Sequence, residues 1–83
     1  MPLAPVRTQS QLGQALRRAR KAHGLSQAEL GARAGLRAAT VSALENGIGA
    51  AQVTTLLAVL AALDLELKLQ PRGADLPDLE SLF

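Results

Sequence analysis

The chain has 83 residues, 16 of them Ala and 17 Leu, with a single aromatic at Phe83. A chain this short supports one domain that buries only about 60–65% of its unfolded surface, so a lone copy is marginally stable and dimerisation is a natural remedy. The absence of cysteine excludes a disulfide framework and a thiolate metal site and fits a reducing compartment. Residues 1–10 lack the apolar core of a signal peptide, and the longest uncharged run, 46–63, opens with too many polar residues and glycines to span a bilayer about 30 Å thick. A soluble, cytoplasmic protein is expected.

The net charge of +2 conceals a polarity along the chain. Residues 1–40 hold Arg7, Arg17, Arg18, Arg20, Lys21, Arg33 and Arg37 against Glu29 alone, whereas residues 41–83 hold Lys68 and Arg72 against six acids. A basic half is the electrostatic footprint of a polyanion-binding surface, although a solvated helix face carries the same charges.

Residues 1–7, with Pro2 and Pro5, read as an extended arm. Thr8 and Gln11 have capping-box spacing, Leu12, Ala15, Leu16 and Ala19 recur with helical period, and Gly24 stops the run, so a first helix is predicted over 8–23. Ser26 and Glu29 form a second capping box, flanked by Leu25 and Leu30 as a hydrophobic staple, and Gly35 ends a short helix over 26–34. After the turn Gly35-Leu36-Arg37, a third helix is predicted over 38–46, with Val41 and Leu44 inward and Gly47 as its stop. Two short helices joined by a glycine-containing turn are the helix-turn-helix signature, and the alternative is a plain αα-corner.

A fourth helix is predicted over 51–63 with Val53, Leu56, Leu57, Leu60 and Leu63 buried. The period then changes: Leu65, Leu67 and Leu69 alternate with Glu66, Lys68 and Gln70 until Pro71, the pattern of a half-buried strand over 65–70. A single strand leaves its own backbone unpaired, so it is expected to pair with its own copy in a homodimer. Antiparallel pairing about Leu67 sets Glu66 opposite the partner's Lys68 and Leu65 opposite the partner's Leu69. A frayed extension of helix four is the alternative. The domain plan is therefore an arm over 1–7, a DNA-binding and dimerisation domain over 8–70, and an acidic tail over 71–83. The tail is expected to be mobile when alone and either inert or an anchor for a protein partner through Leu79, Leu82 and Phe83.

Catalytic material is scarce. His23 lies beside a helix stop, Ser26 and Ser42 have no base at a suggestive spacing, and the carboxylates form no pair or metal-ligand cluster. No enzyme activity, metal or cofactor is expected.

In a helix-turn-helix the second helix enters the major groove by its N-terminal outward residues. Removing the inward Leu36, Val41 and Leu44 leaves Arg37, Ala38, Ala39, Thr40, Ser42 and Ala43 as candidate base contacts. Arg37 is the one side chain among them with bidentate reach to guanine O6 and N7. Ser26, Gln27, Arg17, Arg18, Lys21 and Arg33 are expected on phosphates, with Arg20 grouped among these bases for phosphate or long-range contacts.

These residues carry a family resemblance. Leu25-Ser26-Gln27-Ala28-Glu29-Leu30, Ala34-Gly35-Leu36, Thr40-Val41-Ser42 and Leu44-Glu45-Asn46-Gly47 resemble the helix-turn-helix of the phage-repressor and Cro-like (XRE) superfamily. The spacing onward through Val53-Thr54-Thr55-Leu56-Leu57 to the strand over 65–69 resembles the HipB antitoxins. The resemblance implies an all-α, lambda-repressor-like fold of four or five helices with a short C-terminal strand paired between subunits. It further implies a nucleoid-associated homodimeric repressor that binds a palindromic double-stranded operator and partners a HipA-type serine/threonine kinase toxin. Arg37 then stands at a basic base-reading position, with Ala39, Thr40 and Ser42 at other recognition-helix positions. Two positions depart from the pattern: Arg37 replaces a common Ser or Thr cap, and Ala43 replaces a common polar reader. A stand-alone or phage-type repressor and a protein-interaction module without DNA binding are the competing readings.

Overall fold

The computed structural model describes residues 5–73, and among them the chain is all-helical. Four helices follow in order: α1 (Gln9–Ala22), α2 (Gln27–Ala34), α3 (Ala38–Glu45) and α4 (Val53–Ala62). Their boundaries are fixed by local chemistry. Thr8 and Ser26 both close complete capping boxes, with Thr8 Oγ1 accepting from the Gln11 N–H at 3.0 Å and Ser26 Oγ from the Glu29 N–H at 3.0 Å.

The C-termini are closed by left-handed residues that turn the chain back on the last helical carbonyls. At the end of α1, Gly24 has φ +70 and the Leu25 N–H reaches the Arg20 carbonyl at 3.2 Å. At the end of α4 the same turn falls on Asp64, φ 55, with the Leu65 N–H on the Leu60 carbonyl at 2.8 Å. A β-carbon makes this conformation costly, and aspartate is one of the few residues that enter it.

The core is one cluster: Leu16 from α1, Leu25 and Leu30 around α2, Val41 and Leu44 from α3, and Val59, Leu60 and Leu63 from α4. Leu12, Leu36 and Leu56 pack on its margin. Both members of the expected staple, Leu25 and Leu30, are buried.

Two expectations for the C-terminal half are corrected. Helix four starts at Val53, two residues later than predicted, because its N-cap Gln52 makes no side-chain cap bond that would mark the boundary. Its buried stripe is Val59, Leu60 and Leu63, whereas Val53 and Leu57 are exposed. A helix reading VTTLLAVLAA is apolar on nearly every side, so periodicity allows several stripes and contact with α2 selects one.

No strand forms among the described residues, and 65–70 run without regular structure. A strand assignment needs a ladder partner, and the described residues of one copy offer none. Leu67 and Leu69 are both exposed. The partner-binding residues Leu79, Leu82 and Phe83 lie outside the described residues, as does the rest of the segment from residue 74.

Candidate nucleic-acid interface

The turn between α2 and α3 is set by a close approach of backbone to backbone. Gly35, at φ 72, reverses the chain, the Leu36 N–H returns to the Gly31 carbonyl at 2.7 Å, and a Cβ on Gly31 would sit 2.6 Å from the Leu36 carbonyl oxygen. This fixes the angle between α2 and α3. Val41 and Leu44 then bury one side of α3 and leave the other free.

On that free side Arg37, Ala38 and Ala39 are exposed, and Thr40, Ser42 and Ala43 are half-buried. All six expected base-contact residues thus lie on α3 or at its start. Arg37 occupies the N-cap position with extended backbone and makes no side-chain cap bond. Ser42 is held by a bond that the sequence reading missed: Asn46 Nδ2 donates to the Ser42 carbonyl at 2.9 Å and to its Oγ at 3.3 Å. The hydroxyl hydrogen of Ser42 stays free to donate.

Substituting the uncapped Arg37 by Ser supplies the missing acceptor, worth about 1 kcal/mol at an N-cap. Thermal denaturation of Arg37→Ser is therefore expected to show a stability gain. An unchanged melting temperature would show that α3 gains nothing from a side-chain cap at this position.

The expected phosphate contacts divide. Arg17, Arg18, Lys21 and Arg33 are exposed. Ser26 accepts the Glu29 N–H while its own N–H donates to Glu29 Oε1 at 2.9 Å. The Ser26 bonds, the backbone one foremost, hold the Glu29 carboxyl below the usual carboxylate range, with help from the charge of Arg33. Gln27 is half-buried, and its Nε2 donates to Glu45 Oε1 at 3.1 Å with one hydrogen to spare.

Arg20 is corrected. It is buried, and its guanidinium donates from Nε to Glu45 Oε2 at 2.6 Å, from Nη2 to Glu45 Oε1 at 3.0 Å and from Nη1 to the Leu25 carbonyl at 2.8 Å. The hydrogen bond to Glu45 raises its pKa further despite burial. Burial pushes the Glu45 carboxyl up, but the bonds from Arg20 and Gln27 and the charges of Arg20 and Arg17 outweigh it and leave it below the ordinary value. Arg20 therefore joins α1, the α1–α2 turn and the end of α3, and is withdrawn from phosphate. A signal was present, since Arg20 falls four residues after Leu16 on the buried stripe of α1.

His23 also has a structural partner: its Nε2 donates to the Leu63 carbonyl at 2.9 Å, linking the ends of α1 and α4. Among the described residues no group of three or more His, Cys, Asp or Glu could hold a metal ion, and no helix is long and apolar enough to cross a membrane.

Residues 16–70 match the helix-turn-helix family. The chain belongs to that family. Among solved structures it is similar to a HipB variant in the HipB–O2 20mer complex, 30% identical over 86% of this chain and 99% of that one, with a TM-score of 0.79. The structure of a HipA–HipB–O2–O3 complex matches at 28% identity over 84% of this chain and 99% of the matched chain, TM-score 0.77. The restriction-modification controller protein C.AhdI from Aeromonas hydrophila is 36% identical over 70% of this chain and 84% of that one, TM-score 0.67. Among curated protein sequences, none matches. The chain is thus a HipB-like, XRE-type helix-turn-helix protein, and this family consists of DNA-binding regulators.

Proposed function

We propose that this helix-turn-helix protein is a cytoplasmic, homodimeric repressor that binds a palindromic operator and serves as the antitoxin of a HipA-type kinase toxin. The observation that carries the reading is an outward α3 face headed by the exposed, uncapped Arg37, in a chain similar along 86% of its length to HipB in a complex with a 20mer. Arg37 reads a guanine, Ala38, Ala39 and Ala43 lie against base edges, and Thr40 and Ser42 offer hydroxyls. Arg17, Arg18, Lys21 and Arg33, with Ser26 and Gln27 at the start of α2, hold phosphates and set the register.

A second copy covers the apolar surface that one chain leaves open. Val53, Leu57, Leu65, Leu67 and Leu69 are all exposed, and pairing of 65–70 with the same segment of a second copy satisfies its backbone and buries part of this set. A two-fold dimer then presents two α3 helices about 34 Å apart to successive major grooves. The match to HipB in a HipA–HipB complex supports the kinase partner, with Leu79, Leu82 and Phe83 as its anchor. The 36% identity to the controller protein C.AhdI favours a second reading, a stand-alone regulator without a toxin.

Mobility shifts on the chain's own promoter test the DNA-binding reading. Arg37→Ala is expected to weaken cognate binding by about 1–3 kcal/mol and relax selectivity at one base pair. Arg18→Ala is expected to lower affinity on every sequence and flatten the salt dependence. Equal loss on cognate and random DNA for Arg37→Ala contradicts its role. Co-purification with a kinase-like product of the neighbouring reading frame separates the antitoxin from the stand-alone regulator.

A further inference from the structure

Ile48 has no place in the core, yet the structure holds it in a defined position. The end of α3 is closed by Gly47 at φ 66, and the Ile48 N–H returns to the Ala43 carbonyl at 2.9 Å. In this closure the residue after the left-handed position lies over the residue whose carbonyl it bonds, so Ile48 is set beside Ala43. On its other side the Gly49 carbonyl accepts from Gln9 Nε2 at 2.6 Å, which pins the loop to α1. Between these two anchors Ile48 is 64% exposed.

Ile48 also shares one open groove with Ala39, Thr40 and Ala43. Those three belong to the outward face of α3 that Arg37 heads. The groove therefore runs from the proposed DNA-reading face across the loop after α3 to Gln52 and Thr55 at the start of α4, whereas the other exposed apolar residues of the second half, Val53, Leu57 and Leu65 onward, do not line it. In the major groove the C5 methyl of thymine is the apolar group that a base edge presents. Arg37 cannot recognise it, and Ala39 and Ala43 are too short to reach far from the helix.

We propose that Ile48 is a specificity-determining residue that packs on a thymine methyl in each operator half-site, with Ala39 and Ala43 lining the same contact. This rests on the reading of α3 as the DNA-reading helix. It adds a reader from the loop after α3 and assigns that reader a base.

The test uses the duplex that the full-length chain selects from a randomised pool, synthesised once with thymine and once with deoxyuridine, which lacks only the methyl. Loss of one buried methyl is expected to lower the affinity of the wild-type chain about fourfold per half-site. Ile48→Ala is expected to bind both duplexes with the same, reduced affinity, and Ile48→Val, one methyl shorter, to give an intermediate ratio. A thymine-to-uracil ratio that survives in Ile48→Ala overturns the proposal, as does a selected half-site without thymine. Indifference of the wild-type chain to uracil, the result if this groove serves a protein partner instead, also overturns it. Arg37→Ala in the same assay separates the two levels. Retained selectivity there means that α3 is not the reader, whereas lost selectivity with an Ile48-independent uracil effect refutes the role of Ile48 alone.

Discussion

Glu45→Ala is expected to destabilise the protein by about 3–5 kcal/mol, because it leaves the buried guanidinium of Arg20 without its charge partner. At a total stability of about 5–15 kcal/mol for a small domain, that is a large share of the whole. The geometry explains the size. Glu45 takes two bonds from Arg20 and one from Gln27, so its removal frees donors in α1 and α2 together. Replacing both partners, Arg20→Met with Glu45→Leu, is expected to recover most of the loss, since a buried ion pair often breaks even with apolar groups of similar volume. Urea denaturation of the two single variants and the double variant measures the coupling. Additive losses would show that the pair does not act as a unit.

The same pair gives the fold a pH dependence of defined sign. The carboxyls of Glu45 and Glu29 both sit below the ordinary value in the folded chain. Each therefore adds stability that is complete above the unfolded glutamate value of about 4.3 and is lost as the pH falls through the lower folded value. Stability is accordingly expected to fall on acidification below about pH 4.3, and Glu45→Gln to flatten that part of the profile.

Much of the fold was legible because its boundaries are written in short-range chemistry. Thr8 with Gln11, Ser26 with Glu29, and Gly24, Gly35 and Gly47 each specify a helix end through a neighbour no more than five residues away. The α3 face was legible for the same reason, since Leu36, Val41 and Leu44 identify its inward side. What escaped reading depends on distant partners. The spacing of Arg20 from Leu16 marks it as inward, but its partner Glu45, 25 residues away, is not marked in the sequence, so its charge reads like that of its exposed neighbours Arg17, Arg18 and Lys21. In α4 every side is apolar enough to bury, so only the packed structure distinguishes Val59 from Val53. The segment 65–70 alternates as a strand does, but no ladder partner lies among the described residues. Gln9 and Gly49, 40 residues apart, gave no sign of the bond that fixes the loop carrying Ile48.

Gly13→Ala is expected to destabilise the protein, although alanine is the better helix former. The helix propensity gained is about 1 kcal/mol. Against it stands the crossing of α1 over the end of α3, where a Cβ on Gly13 would lie 2.3 Å from the Glu45 carbonyl oxygen and 2.6 Å from that of Leu44. Both obstacles are backbone atoms of a helix end and cannot rotate aside, so α1 must move away from α3. That movement pulls Arg20 from Glu45 and Leu16 from the core. The net cost is expected to be about 2–3 kcal/mol, the upper part of the usual range for overpacking, which for a domain of this size lowers Tm by roughly 10–20 °C. Gly24→Ala is the control. Its position has φ +70 with nothing within 4 Å of the added carbon, so it carries only left-handed strain of about 1–2 kcal/mol. Thermal melts followed by circular dichroism decide between space and propensity: a Gly13→Ala protein more stable than wild type would mean that α1 and α3 do not meet at this distance. Under the proposed DNA-binding reading its DNA affinity should fall along with its stability, because the position of α3 relative to the exposed Arg17, Arg18 and Lys21 of α1 is set at this contact.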